Sequence, residues 1–260
     1  MKKILTIIGS TGLGKTDLAI KIAKKINGEI IGLDSRQIYK FMPIGTAQPT
    51  KTELRDVPHH LIGFRDPWQS ISAGEYAKMV FKKVCEIKDR NRFPIICGGA
   101  GLYYMAITKG IFSNSYSDSE LREKLEIQYE ENPMPLFDKL QAIDPKYGNI
   151  VHINNKKRLI RALEIFELTG FTPTEHFENQ KKNDKQLLDL YTVFLTLDKY
   201  LHFNRIKSRT HRMLKNGWIE EVKNLIWLEK EKQLHLPALD SIGYKEIRNY
   251  LHGDVDIHTL

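Results

Sequence analysis

One succession constrains this chain more than any other feature: a short apolar run that stops at a glycine-rich loop, then an amphipathic helix. Lys3 to Ile8 (KILTII) reads as a buried parallel strand. Gly9, Ser10, Thr11, Gly12, Leu13, Gly14, Lys15 and Thr16 follow, and then apolar residues fall at helical spacing: Leu18, Ala19, Ile22, Ala23 and Ile26. Asn27-Gly28 stops the helix. A Gly-x4-Gly-Lys-Thr loop between a strand and a helix is a phosphate cradle. Its backbone N–H groups converge on an anion at a helix N-terminus. Lys15 adds a mobile positive charge, and the Thr16 hydroxyl is a ligand for Mg²⁺. The motif sets a diphosphate site and no particular reaction.

The alternation continues. EIIGLDS reads as a second strand ending at Asp34, Gly74 to Asp89 as an amphipathic helix, FPIICGG as a third strand and GLYYMAITKG as a helix. Tyr191 to Asp198 reads as a return strand. The helix after it carries Phe203, Ile206, Thr210, Met213 and Leu214 on one face, with Arg205, Arg209 and Arg212 as a stripe beside them. WIEEVKNLIWLEKE is a further helix. The fold class expected is α/β, a P-loop NTPase-like parallel sheet flanked by helices. From Ser117 to Glu178 the pattern is helical and polar, broken at Asn-Pro, Asp-Pro and Thr-Gly, and Lys181 to Asp189 reads as a linker. The expected organisation is a core of residues 1–116 and 187–260, holding a catalytic channel, with an all-helical insertion subdomain over 117–186.

A formal net charge of +8 points to a polyanion, nucleic acid before an acidic membrane surface. Two cysteines, Cys85 and Cys97, make neither a disulfide framework nor a metal spacing and suit a reducing cytosol. No run approaches transmembrane length, so a cytoplasmic protein with no membrane partner is expected. His59-His60 lacks the helical spacing of a zinc site, and Tyr103 and Tyr104 suit core packing. The third strand ends in CGGAG and offers no carboxylate, whereas the second ends in Asp34. In a parallel sheet the C-terminal strand ends share one edge with the cradle. Asp34 can face the phosphates or cap a turn, and spacing leaves both readings open.

GSTGLGKT, LDSRQIYK, IGTAQPT, VPHHLIG, GGAGLYY, HINNKKRLIRALEI and SIGYKE occur in that order. Together they resemble the tRNA dimethylallyltransferases over nearly the whole chain. The resemblance implies that the loop holds dimethylallyl diphosphate with Mg²⁺ rather than ATP. The dimethylallyl group would pass to N6 of the tRNA adenosine 3′-adjacent to the anticodon, flipped from its stack. It implies Asp34 as general base, with Lys15, Thr16 and Arg205 neutralising the departing diphosphate and Arg209 beside them. It implies tRNA contacts at Asp34, Ser35, Arg36, Gln37, Ala100, Arg122, Gly243 and Tyr244, and along Lys157, Arg158, Leu159, Ile160 and Arg161. The histidine pair falls in a structural loop of the family, and a monomer is expected.

Two departures stand out. Ala100 replaces the family's threonine, and the chain stops at Asp256 to Leu260 where members commonly continue into a basic helix that grips tRNA. A natural short form and a cut chain both fit. The rival enzyme is adenylate isopentenyltransferase acting on free AMP, ADP or ATP. Rivals of another class are a P-loop small-molecule kinase and a nucleic-acid-binding module with a vestigial site.

Overall fold

A computed structural model describes residues 3–110, 117–183 and 187–256. The chain forms two compact units, 1–108 with 188–260 and 109–187. The expected boundaries at 116 and 186 fall outside the described residues.

In the first unit β1 (Ile4–Gly9) leads through the glycine-rich loop into α1 (Lys15–Ile26). Then come β2 (Gly28–Leu33), α2 (Lys51–Asp56), β3 (His59–His60), α3 (Ala73–Asp89), β4 (Phe93–Gly98) and α4 (Gly101–Lys109). The second unit is helical: α5 (Ser119–Glu131), α6 (Pro133–Ile143), α7 (Pro145–Gly148), α8 (Lys156–Thr169) and α9 (Pro173–Asn183). The chain returns to the first unit as β5 (Leu190–Leu195), α10 (Lys199–Lys215), α11 (Trp218–Lys232), a 3-10 turn (Pro237–Asp240) and α12 (Tyr244–His252).

All five strands are parallel, in the order β3-β2-β4-β1-β5. The register pairs Leu33 with Gly98, Ile8 with Gly98, and Gly9 with Leu195. The strand ends that precede the loop, Asp34 and Gly99 therefore share one edge. β2 and β4 are covered on both faces, which explains their largely apolar sequences; Glu29 of β2 is the buried exception. Ile7, Ile30 and Ile95 pack with Ala19, Ile20 and Ala23 of α1. Each buried isoleucine contributes roughly 2 kcal/mol by area, so the edge rests on a buried apolar core.

The elements that were not predicted include α2 and β3. Thr50 and Glu53 form a capping box that starts α2. His59 and His60 pair with Ile30 and Ile31 as a short edge strand. His60 bonds the buried Glu29 carboxylate, and His59 Nδ1 donates to the Val57 carbonyl; neither joins a metal cluster among the described residues. β5 stops three residues short of the predicted Asp198 because that carboxylate accepts from the N–H groups of Tyr200 and Leu201 and caps α10.

The second unit packs Leu125, Leu136, Leu140, Leu159, Ile160 and Leu163 into its own core. Asn132 caps α6, Asp144 caps α7, and Gly170 ends α8 with φ of 71°. Residues 181–183, expected in a linker, belong to α9.

Candidate active site

The loop turns because Gly12 and Gly14 take left-handed φ of 79° and 77°. Lys15 folds back and donates to the Ser10 carbonyl at 2.7 Å. Burial holds its ammonium below the usual lysine range, against Cys97 and Asp34, which raise its pKa, and with Arg209, which lowers it. A desolvated cation of this kind gains most from an arriving anion.

The ends of β2 and β4 are tied together. The Leu33 carbonyl accepts from the N–H groups of Gly99 and Ala100, both at 3.0 Å. A Cβ on Gly98 would lie 2.1 Å from that oxygen, so the approach requires glycine. One residue on, Asp34 Oδ1 accepts from the backbone N–H groups of Arg36 at 2.8 Å and Gln37 at 3.1 Å. Its charge also raises the pKa of both Lys15 and Arg209. Asp34 thus caps the turn through one oxygen, and its charge lies within electrostatic reach of Lys15 in the loop. Below it, burial pushes the Cys97 thiol and the Tyr103 phenol each up to about 12. Tyr103 stacks on Tyr76 at 4.0 Å and is core, as expected. Tyr104 bonds Thr192.

α10 lies against the loop. His202 Nε2 is 2.8 Å from the Thr11 carbonyl, and since a carbonyl only accepts, Nε2 carries the proton. A Cβ on Gly12 would meet Ile206 at 3.6 Å. Arg209, half-buried, completes this face; burial lowers its pKa, Asp34 opposes and Arg212 reinforces the shift. Arg205 is exposed. Arg209 lies in the electrostatic reach of Asp34 and Lys15. His202 was missed by the sequence reading. Its i, i+4, i+7 spacing with Ile206 and Arg209 was the available signal.

The IGTAQPT segment is clamped from far along the chain. The Glu221 carboxylate, 7% exposed, accepts from Ile44 N, Gly45 N and the Tyr244 hydroxyl. A Cβ on Gly45 would lie 1.9 Å from Trp218, and one on Gly243 would lie 2.1 Å from it. Tyr244, expected to touch tRNA, instead braces this loop, because it is buried with its hydroxyl spent on Glu221; Gly243 is half-buried. Gln37 spends its side-chain N–H groups on the carbonyls of Thr46 and Ala47. Ser35 and Ala100 are half-buried and Arg36 is exposed.

In the second unit, Leu159 and Ile160 are core residues and cannot touch RNA, since the helical period turns them inward. Arg122 and Arg161 both bond Glu164, which is fully buried. Lys157 and Arg158 are exposed.

A parallel sheet that presents a glycine-rich Gly-x4-Gly-Lys-Thr loop, its half-buried lysine and a capping aspartate at one edge defines a P-loop α/β protein. Within that class the chain belongs to the IPP transferase family, whose profile matches residues 37–260. It is 41% identical over 260 residues to a tRNA dimethylallyltransferase of Petrotoga mobilis, covering all of this chain and 84% of that one. It is 40% identical over 257 residues to one of Bacillus velezensis, covering 98% and 80%. Among solved structures, the tRNA isopentenylpyrophosphate transferase of Bacillus halodurans superposes with a TM-score of 0.67 at 35% identity, covering 100% of this chain and 80% of that one. A eukaryotic dimethylallyltransferase acting on tRNA superposes with 0.75 at 28% identity, covering 98% and 64%. Among the described residues no helix is long and apolar enough to cross a membrane.

Proposed function

We propose that the chain transfers the dimethylallyl group of dimethylallyl diphosphate to N6 of the tRNA adenosine 3′-adjacent to the anticodon, releasing diphosphate, as a cytoplasmic monomer. The family and the names of its relatives support this reading. The observation that carries it is the charge of Asp34 set within reach of Lys15 and Arg209 at the sheet edge. N6 attacks the allylic carbon as the carbon–oxygen bond breaks. The bonding pair leaves with the diphosphate, and the N6 proton passes to the Asp34 carboxylate. The turn cap holds that carboxylate still. Lys15 exchanges the Ser10 carbonyl for a phosphate oxygen, and Arg209, with Arg205 nearer solvent, meets charge that grows on the leaving group. Ser35 and Arg36 flank the base, and Lys157 and Arg158 meet RNA phosphates.

Among the described residues no group of three or more His, Cys, Asp or Glu could hold a bare metal ion. Mg²⁺ keeps several of its waters and takes further ligands from phosphate. Thr16 is the residue that would hold it, and bound there it supplies charge neutralisation.

The test uses labelled dimethylallyl diphosphate with an unmodified anticodon stem-loop, AMP, or no acceptor. Label is expected on the stem-loop. Asp34→Asn keeps an oxygen for the cap but removes the charge, and should slow transfer by about 10²- to 10⁴-fold while the fold melts normally. Transfer to AMP alone, or ATP turnover without transfer, overturns the reading.

A further inference from the structure

The chain carries 40 basic and 32 acidic side chains, and the excess is not spread evenly. α10 alone holds six: Lys199, Arg205, Lys207, Arg209, Arg212 and Lys215, with no Asp or Glu. Taking those six from the forty leaves 34 basic against 32 acidic, close to balance. None of the six joins an ion pair among the described residues, whereas Lys24, Lys83, Arg122 and Lys223 elsewhere are each matched by a carboxylate. Five of the six are exposed, and Arg209 turns in beside Lys15 and Asp34. The flank away from the arginine stripe carries Tyr200 and Phe203, 72% and 64% exposed, at i and i+3, with Lys207 at i+7.

We propose that this outer flank of α10 is a docking edge for the RNA strand, with Lys199, Lys207 and Lys215 on its phosphates and Tyr200 and Phe203 stacking on unpaired bases. This rests on the reading that RNA is the acceptor. Uncompensated like charges on one helix repel each other, and a polyanion relieves that repulsion. Aromatics interleaved with cations are the chemistry of single-stranded nucleic acid, since every base has a face to stack. An anionic membrane would meet the same charges. RNA is favoured because the cations wrap both flanks and the innermost, Arg209, belongs to the catalytic edge; one polyanion with its reactive end in the site satisfies both.

The test measures stem-loop affinity against salt for the full chain, for Lys199→Gln/Lys207→Gln/Lys215→Gln, and for Lys24→Gln/Lys83→Gln/Lys223→Gln. The two triple variants lose equal net charge, but the second loses only paired cations. The α10 variant should flatten the slope of log K against log salt by about 2, at roughly 0.7 to 0.9 per lost phosphate contact. The control should keep the native slope, and the KM for dimethylallyl diphosphate should not move in either. Tyr200→Ala/Phe203→Ala should weaken binding by about tenfold with the slope intact. Equal slopes in the two triples, with native protein that binds and modifies the stem-loop, overturn the docking edge and leave the function standing. Native protein that does not bind the stem-loop overturns both. Binding of α10 to phosphatidylglycerol vesicles, with RNA affinity unchanged in the α10 triple, assigns the surface to a membrane instead.

Discussion

Replacing His202 should weaken the diphosphate site without touching RNA. His202 donates to the Thr11 carbonyl at 2.8 Å. A trans peptide sets its carbonyl and its N–H in opposite directions. Holding the Thr11 carbonyl toward α10 therefore points the Gly12 N–H away from that helix and leaves it free to serve an anion. Without the bond, the peptide at the left-handed Gly12 is released, because glycine resists rotation least. A neutral hydrogen bond near the surface contributes about 0.5–1.5 kcal/mol, so His202→Ala should raise the KM for dimethylallyl diphosphate and the Ki for inorganic diphosphate by roughly 2- to 12-fold. His202→Gln, whose side-chain amide nitrogen reaches about as far as Nε2, should restore most of this. The KM for the stem-loop should stay constant. The reasoning fails if alanine leaves diphosphate affinity unchanged, or if glutamine is as poor as alanine.

Other consequences are direct. Gly45→Ala should destabilise the fold by several kcal/mol, about 3, because its methyl would overlap Trp218 in a packed site; a thermal melt checks it. Glu221→Gln puts an amide N–H₂ against one of two backbone donors and should cost about 1–3 kcal/mol in urea unfolding. Burial raises the pKa of Glu164, but hydrogen bonds from Arg161, Arg122 and the Asp118 backbone outweigh it, so the folded value lies below the ordinary 4.5. The unfolded state then binds more protons. The stability this group contributes is full above pH 4.5 and falls away as pH drops through the folded value, and Glu164→Gln should flatten that part of the stability–pH curve.

Locally encoded features were legible. The strand, loop and helix around GSTGLGKT, the breaks at Asn132, Asp144 and Gly170, and the arginine stripe of α10 follow from the period of apolar residues and from capping chemistry. Thr50 and Glu53 were equally legible as a capping box and were passed over. The errors at Leu159, Ile160 and Tyr244 share one cause. A motif says that a residue matters to a segment but not which way its side chain turns. Leu159 and Ile160 sit among basic residues, yet the helix rotates them into the core. Tyr244 lies in SIGYKE, yet its hydroxyl is claimed by Glu221.

The sequence by itself determined a P-loop, a parallel sheet around it and Asp34 as the candidate carboxylate. Each is written in residues a few positions apart, where backbone geometry and side-chain period act. Only the tertiary structure decided that Arg209 lies in the electrostatic reach of Asp34, that His202 pins a carbonyl 191 positions away, and that Glu221 clamps Gly45 across 176 residues. Those contacts leave no local trace, because they exist only once packing of the sheet has brought distant segments to one edge.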